Sequence, residues 1–318
     1  MKTISISIPT YNEENNVLPL YDALHEQLMA LKDRYNYEIV FIDNKSTDST
    51  REKILLLCAK DPCVKAIFNR RNFGHGNSSF YGTLQTTGDC TICYSADFQD
   101  PPELLPRMIE AWEQGHKIVC MVKTQSDENK AARAVRTLYY RMLRRLSNST
   151  EIIEHFTGFG LYDKSALDVA RILDDPNPFT RGMTAEWGFD MIEIPYTQAT
   201  RRTGKSGNNF FSLYDVAMQG ITAHTKTGPR LATLLGVIMA GASAVAALVC
   251  LILKLATGAA FSMGHAALAA GMFFMGGVQL FFLGIIGEYI LDVRRRSTKN
   301  PLVFEERRVN FEEEVTKE

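Results

Sequence analysis

Net charge is the first thing this chain lacks. Its 35 basic and 36 acidic residues leave a net charge of −1, so no global field recruits nucleic acid or any other polyanion. Cysteine is sparse and scattered. The six residues, Cys58, Cys63, Cys90, Cys93, Cys120 and Cys250, form no secreted disulfide framework. Cys90 and Cys93 share the spacing of a redox pair, but residues three apart in a strand face opposite sides, so both read as buried thiols. No G-x-G-x-x-G follows the first strand pattern, which argues against a dinucleotide cofactor. The chain begins directly on that strand, no cleavable signal peptide is expected, and the bulk of the chain is expected in the reducing cytosol. Two stretches lack charge altogether: residues 231–253, 23 positions, and residues 266–287, 22 positions. Either can cross the ~30 Å hydrocarbon core of a bilayer as a helix.

What is present begins as an alternation of strands and helices. Ile4, Ile6 and Ile8 alternate with Ser5 and Ser7 as a half-buried strand, and Pro9 ends it. Val17, Leu20, Tyr21, Leu24, Leu28 and Leu31 recur at helical spacing. Strands are predicted at 38–42, 64–68, 90–94 and 117–122, with helices through Leu55 and through Phe80 and Leu84 and another opening at Pro101-Pro102. This order implies an α/β fold with a mostly parallel sheet covered on both faces. Ligands on such sheets bind at the carboxyl ends of the strands. That rule gathers Thr10, Tyr11, Asn12, Glu13, Asp43, Asn72 and Asp97 on one rim.

The run Ser95-Ala96-Asp97-Phe98-Gln99-Asp100-Pro101-Pro102-Glu103 stands at the end of the fourth strand. Asp97, with Gln99 as a neutral oxygen ligand, can hold a hard divalent cation, Mg²⁺ or Mn²⁺, against a diphosphate leaving group. Asp100 reads either as a further ligand or as the cap of the following helix, and Asp48 as a cap. Residues 131–148 are basic and amphipathic, carrying Arg133, Arg136, Arg141, Arg144 and Arg145. They suit a helix on an anionic membrane surface or a solvated helix packed on the domain.

Four motifs together resemble glycosyltransferase family 2: Ile8-Pro9-Thr10-Tyr11-Asn12-Glu13-Glu14, Ile42-Asp43 with Ser46-Thr47-Asp48, Arg71-Asn72-Phe73-Gly74, and Ala96 to Glu103. The similarity is to the branch of dolichyl-phosphate mannosyltransferases and bacterial polyprenyl-phosphate glycosyltransferases. The two uncharged runs, with Gly276-Gly277-Val278-Gln279-Leu280 and Gly284-Ile285-Ile286-Gly287-Glu288-Tyr289, resemble the membrane hairpin of the bacterial members.

The resemblance implies a GT-A catalytic domain, a nucleotide-diphosphate sugar, a divalent metal and an inverting transfer to a polyprenyl phosphate. By motif position Pro9, Tyr11, Asn12, Glu13, Asp43 and Asn72 would bind the nucleotide sugar, and Asp97 and Gln99 the metal. Arg133 and Arg136 are candidates for the acceptor phosphate. Arg201, Arg202 and Lys205, in Arg-Arg-Thr-Gly-Lys-Ser, match the family's basic segment and join Asp97 as catalytic candidates. Three departures stand out. Ser95 replaces the first acid of the usual Asp-x-Asp, and Asn44 replaces a second acid after strand two. Gly207 stands where a lysine is usual. Lys45 is expected either to meet phosphate directly or to be exposed.

The expected organisation is a cytoplasmic GT-A domain at 1–228, a two-helix transmembrane hairpin at 229–290 and a cytoplasmic tail at 291–318. Lys226 and Arg230 precede the hairpin and Arg294, Arg295, Arg296 and Lys299 follow it, while Lys254 alone marks the far end. The positive-inside rule then places the domain and both termini on the cytoplasmic face of the inner membrane. The tail is expected to be partly ordered at best. Small residues on both spans, among them Gly236, Ala240, Gly276 and Gly284, permit close helix contact and suit a homo-oligomer. A nucleotide-sugar-binding scaffold without turnover is the competing reading. A processive synthase would need more spans.

Overall fold

In the computed structural model, residues 1–125, 156–176, 187–199, 234–239, 265–298 and 300–311 are described, together with isolated positions between them. An eight-stranded sheet runs through the domain in the order β7-β5-β6-β4-β1-β2-β3-β8. Its first half follows the alternation read from the sequence: β1 (Lys2–Thr10), α1 (Val17–Met29), β2 (Tyr35–Asp43), α2 (Thr50–Lys60), β3 (Val64–Asn69), α3 (His75–Leu84), β4 (Cys90–Cys93), α4 (Leu105–Glu113) and β5 (Ile118–Gln125). A 3₁₀ turn, Pro102–Leu104, leads into α4. β1, β2, β3 and β4 are mutually parallel where they pair. The second half adds β6 (Phe156–Asp163), α5 (Lys164–Leu173), β7 (Met191–Thr197), α6 (His265–Ser297) and β8 (Glu305–Val309).

β6 runs antiparallel to both β4 and β5, while β7 is parallel to β5. Gly160 makes the close β5–β6 approach possible, because a Cβ there would lie 2.3 Å from the Val119 carbonyl oxygen. The main core lies where Ile4, Ile6, Ile8, Ile39, Phe41 and Ile92 meet Val17, Leu20, Leu24 and Leu28 of α1, the helical stripe expected from the sequence. Cys90 packs in this core and Cys93 against a second cluster, as opposite faces of one strand require. Burial pushes the Cys93 thiol up to about 11, an inert side chain.

The chain's end adds one more strand to the sheet. β8 pairs antiparallel with β3, Ala66 opposite Val309 and Phe68 opposite Arg307. Asn310 secures it, its Nδ2 donating to the Cys58 and Val64 carbonyls at 2.7 and 2.8 Å. Glu305–Val309 of the tail therefore form an edge strand of the sheet. α6 is 33 residues long, roughly 50 Å at the helical rise. Its segment Phe274–Ser297 is apolar and long enough to cross a membrane. Phe274, Leu280, Phe281 and Leu283 are all more than 60% exposed on it. Among the described residues this is the single such helix. Positions 234–239 of the other uncharged run are helical, and most of the rest of that run lies outside the described residues.

Candidate active site

The carboxyl ends of β1 and β2 are laced together. Asn12 adopts a left-handed conformation, φ 55°, which asparagine tolerates. Its amide donates to Ser46 Oγ at 2.9 Å, and its Oδ1 accepts from the Thr47 amide at 2.8 Å. The Glu13 amide donates to Thr50 Oγ1 at 2.8 Å, while its carboxylate accepts from Asn16 Nδ2. Tyr11 stands 47% exposed between them. Asp48 meets the first turn of α2, its Oδ1 accepting from the Thr50 amide at 3.0 Å.

Asp43 lies beneath this rim rather than on it. It is completely buried, with Arg51 Nε 2.8 Å from its Oδ2 and the Ser46 amide donating to it at 3.2 Å. Burial pushes its carboxyl above the usual range, and the Ser46 and Arg51 contacts work against that rise. Asn44 is equally buried and acts as a hub. Its Nδ2 donates to Asn72 Oδ1 at 2.8 Å, and its Oδ1 accepts from the Phe73 amide, Ser78 Oγ and Asn69 Nδ2. Asn72 Oδ1 also accepts from the Gly74 amide at 2.8 Å. Asn44 and Asn72 thus shape the loop that opens α3.

After β4 the chain makes a tight turn. Phe98 has φ 59°, a conformation costly for an aromatic residue and one that clusters at functional sites. The turn brings the Gln99 amide to 3.2 Å from Asp97 Oδ1, and the Gln99 carbonyl accepts from the Ala199 amide at 3.0 Å. Asp97 keeps 8% exposure and Gln99 is half-buried. Asp100 is neither a rim ligand nor a helix cap. It is 2% exposed and accepts from Tyr196 Oη at 2.6 Å, while the Tyr94 hydroxyl donates to its carbonyl. Burial pushes the Asp100 carboxyl up, and hydrogen bonds from Tyr196 and Ser95 work against that rise.

The donor set at 97–99 suits a small hard cation that keeps several waters. One carboxylate and one amide oxygen lie two residues apart on a constrained turn, and among the described residues no three His, Cys, Asp or Glu side chains converge. Asp97 and Gln99 would hold such a cation, with diphosphate oxygens and water completing its shell. Beside Ser95 a cavity opens, lined by Pro9, His75, Ser79, Phe80, Phe159 and Trp187. Its lining runs from Pro9 of β1 and the start of α3 at His75, past the end of β4, to Phe159 of β6 and Trp187.

Sequence reasoning missed Arg51 and Glu306. Lys45, at φ 65°, is exposed, one of its two expected states, and its Nζ lies 2.9 Å from Glu306 Oε2 on β8. Arg51 Nη2 reaches the same oxygen at 3.0 Å. Hydrogen bonds from Lys45 and then Arg51 hold the Glu306 carboxyl down to about 2. No local pattern announces a pairing across 261 residues. Arg133, Arg136, Arg201, Arg202 and Lys205 lie outside the described residues.

Comparison with known proteins places the chain by similarity. The pattern of "Glycosyl transferase family 2" matches residues 5–170. The uncharacterized glycosyltransferase YkcC of Bacillus subtilis (strain 168) is 32% identical over 300 residues, 94% of this chain and 91% of its own. The bactoprenol glucosyl transferase of Shigella phage SfX is 31% identical over 288 residues, 90% of this chain and 93% of its own. Among solved structures, glucosyl-3-phosphoglycerate synthase from Mycobacterium tuberculosis, in complex with Mn²⁺, UDP-glucose and glycerol 3-phosphate, superposes with a TM-score of 0.44 at 15% identity, covering 70% of this chain and 78% of that one.

Proposed function

The chain belongs to glycosyl transferase family 2, and from that premise we propose that it transfers a sugar from a nucleotide-diphosphate donor to a polyprenyl phosphate, with inversion, at the cytoplasmic face of the inner membrane. Relatives named bactoprenol glucosyl transferases support glucose as the sugar and bactoprenol phosphate as the acceptor. The observation that carries the reading is the 97–99 turn opening on the same rim as the β1 and β2 loops. β1 alone separates β4 from β2, so Asp97 and the Asp43 loop stand two strand spacings apart, roughly 10 Å. A nucleoside diphosphate spans that gap.

In this reading Pro9, Tyr11, Asn12 and Glu13 border the nucleotide on one side and Asn72 on the other. Asp43 serves from below, holding Arg51 and the Ser46 amide in place. Asp97 and Gln99 would hold Mg²⁺ or Mn²⁺, which would supply Lewis-acid neutralisation of the leaving diphosphate. The cavity beside Ser95 is where sugar and acceptor phosphate meet. An acceptor oxygen, already anionic, forms the new bond to the anomeric carbon. The old bond breaks with its electrons leaving on the nucleoside diphosphate, and no base is needed to remove a proton. Positioning cations matter more. Arg133 and Arg136 are proposed for the acceptor, and Arg201, Arg202 and Lys205 for the transition state. A homo-oligomeric membrane assembly with a second span at 231–253 completes the proposal.

The test is transfer of radiolabelled sugar from a panel of nucleotide donors into organic-extractable lipid, in membranes supplied with polyprenyl phosphate. Labelled lipid is expected, and Asp97→Ala should lower its rate at least about a hundredfold. Nucleotide binding without any labelled lipid would identify a scaffold that has lost turnover.

A further inference from the structure

The tail strand delivers a carboxylate to the donor rim. Seven residues separate α6, the apolar helix ending at Ser297, from β8. Along that path Leu302 packs against the Phe80–Ala170 cluster, and Phe304 lies 6.0 Å from Phe73, ring to ring. The Arg70 amide donates to the Phe304 carbonyl at 2.9 Å, and Tyr81 Oη donates to Glu305 Oε1 at 2.7 Å. The strand therefore arrives in a fixed register, and Glu306 is its residue facing the β2 loop.

There it closes a line of alternating charge. Asp43 holds Arg51 Nε, Arg51 Nη2 meets Glu306, and Glu306 holds Lys45 Nζ. The four charges cancel, so the line acts by geometry and not by net attraction for phosphate. Lys45 and Arg51 are long, rotatable side chains, and without Glu306 Lys45 loses the carboxylate that orders it. β2 lies on the far side of β1 from β4, which places this line at the nucleoside end of the cleft if Asp97 marks the diphosphate.

We propose that Glu306 is a positioning residue for the donor nucleotide, supplied by the tail strand and acting through Lys45 and Arg51. This rests on the nucleotide-sugar reading above. It makes β8 a working part of the donor site, tied to the membrane helix by a short connection.

The experiment measures UDP and GDP binding to the full-length protein in detergent with Mn²⁺ by calorimetry, alongside thermal unfolding. Glu306→Ala should raise the Kd of whichever nucleotide binds by roughly three- to tenfold, the scale of charge-assisted contacts that are partly exposed. The unfolding midpoint should stay near wild type, because the backbone pairing of β8 remains. Lys45→Met should raise Kd similarly, and the double variant should be no worse than the weaker single one, the signature of a shared contact. An unchanged or lowered Kd in Glu306→Ala, or additive losses in the double variant, overturns the proposal. Binding without labelled lipid removes the transfer reading and leaves this one standing. No binding of either nucleotide to the wild type removes both.

Discussion

Asn44 donates one hydrogen bond and accepts three from one buried side chain, and an aspartate of the same shape cannot do both. From the sequence it registers as a missing acid. In the fold it is the amide the loop requires, because Asn72 Oδ1 faces it as an acceptor already engaged by the Gly74 amide. Asn44→Asp should therefore destabilise the protein by about 1–3 kcal/mol at neutral pH, although it supplies the acid that the family resemblance leads one to expect. Urea unfolding midpoints at constant slope would measure this. Ser95 likewise has a hydrogen-bond partner in the fold, buried Asp100. At both positions residue identity was legible and its partner was not, because the partner is chosen by the fold.

β2 carries an ion pair that ties separate strands together. Glu38, 3% exposed, accepts from Ser5 Oγ on β1 at 2.6 Å, from Lys65 Nζ on β3 at 2.6 Å and from Thr87 before β4. Burial alone would raise its pKa, but the bonds from Lys65, Ser5 and the Thr87 amide together hold it below the usual value of 4.5. A carboxylate depressed in the folded state contributes stability that is complete above about pH 4.5 and is lost as pH falls through the lower folded value. The stability difference between wild type and Glu38→Gln should thus be full at pH 7 and shrink toward pH 3, read from urea midpoints across that range. Which elements were legible follows from the same packing. β1 to β5 and their helices carry apolar alternation or helical spacing. β6 holds two glycines, and β8, Glu-Glu-Arg-Arg-Val, has almost no apolar face. β8 is held by backbone pairing and by cations such as Arg307 over Phe68, a signal absent from its own sequence.

For the molecule as a whole, α6 joins a catalytic sheet to an apolar surface suited to lipid. Arg294, Arg295 and Arg296 close its end, and Arg296 Nη1 meets Asp175 beyond α5 at 2.8 Å, fastening helix to domain. With β8 returning to the sheet, Glu305–Val309 and the rim of β1 and β2 lie on one side of any bilayer that α6 crosses. A protease-sensitive tag after Glu318 should be cleaved in inverted inner-membrane vesicles and protected in intact spheroplasts. The opposite pattern would reverse the proposed orientation.

The sequence by itself determined the α/β alternation, the α1 stripe, the rim of strand ends and the family, and it nominated Asp97 and Gln99 as metal ligands. Each depends on residues close in the chain, where periodicity and motif spacing carry the information. Only the tertiary structure decided that Asp43 is buried against Arg51, that Asp100 turns to Tyr196, and that Lys45 answers to Glu306 from the far end of the chain. Those outcomes depend on which strands become neighbours. Backbone hydrogen bonding and burial choose such neighbours across hundreds of residues, and no local pattern encodes the choice.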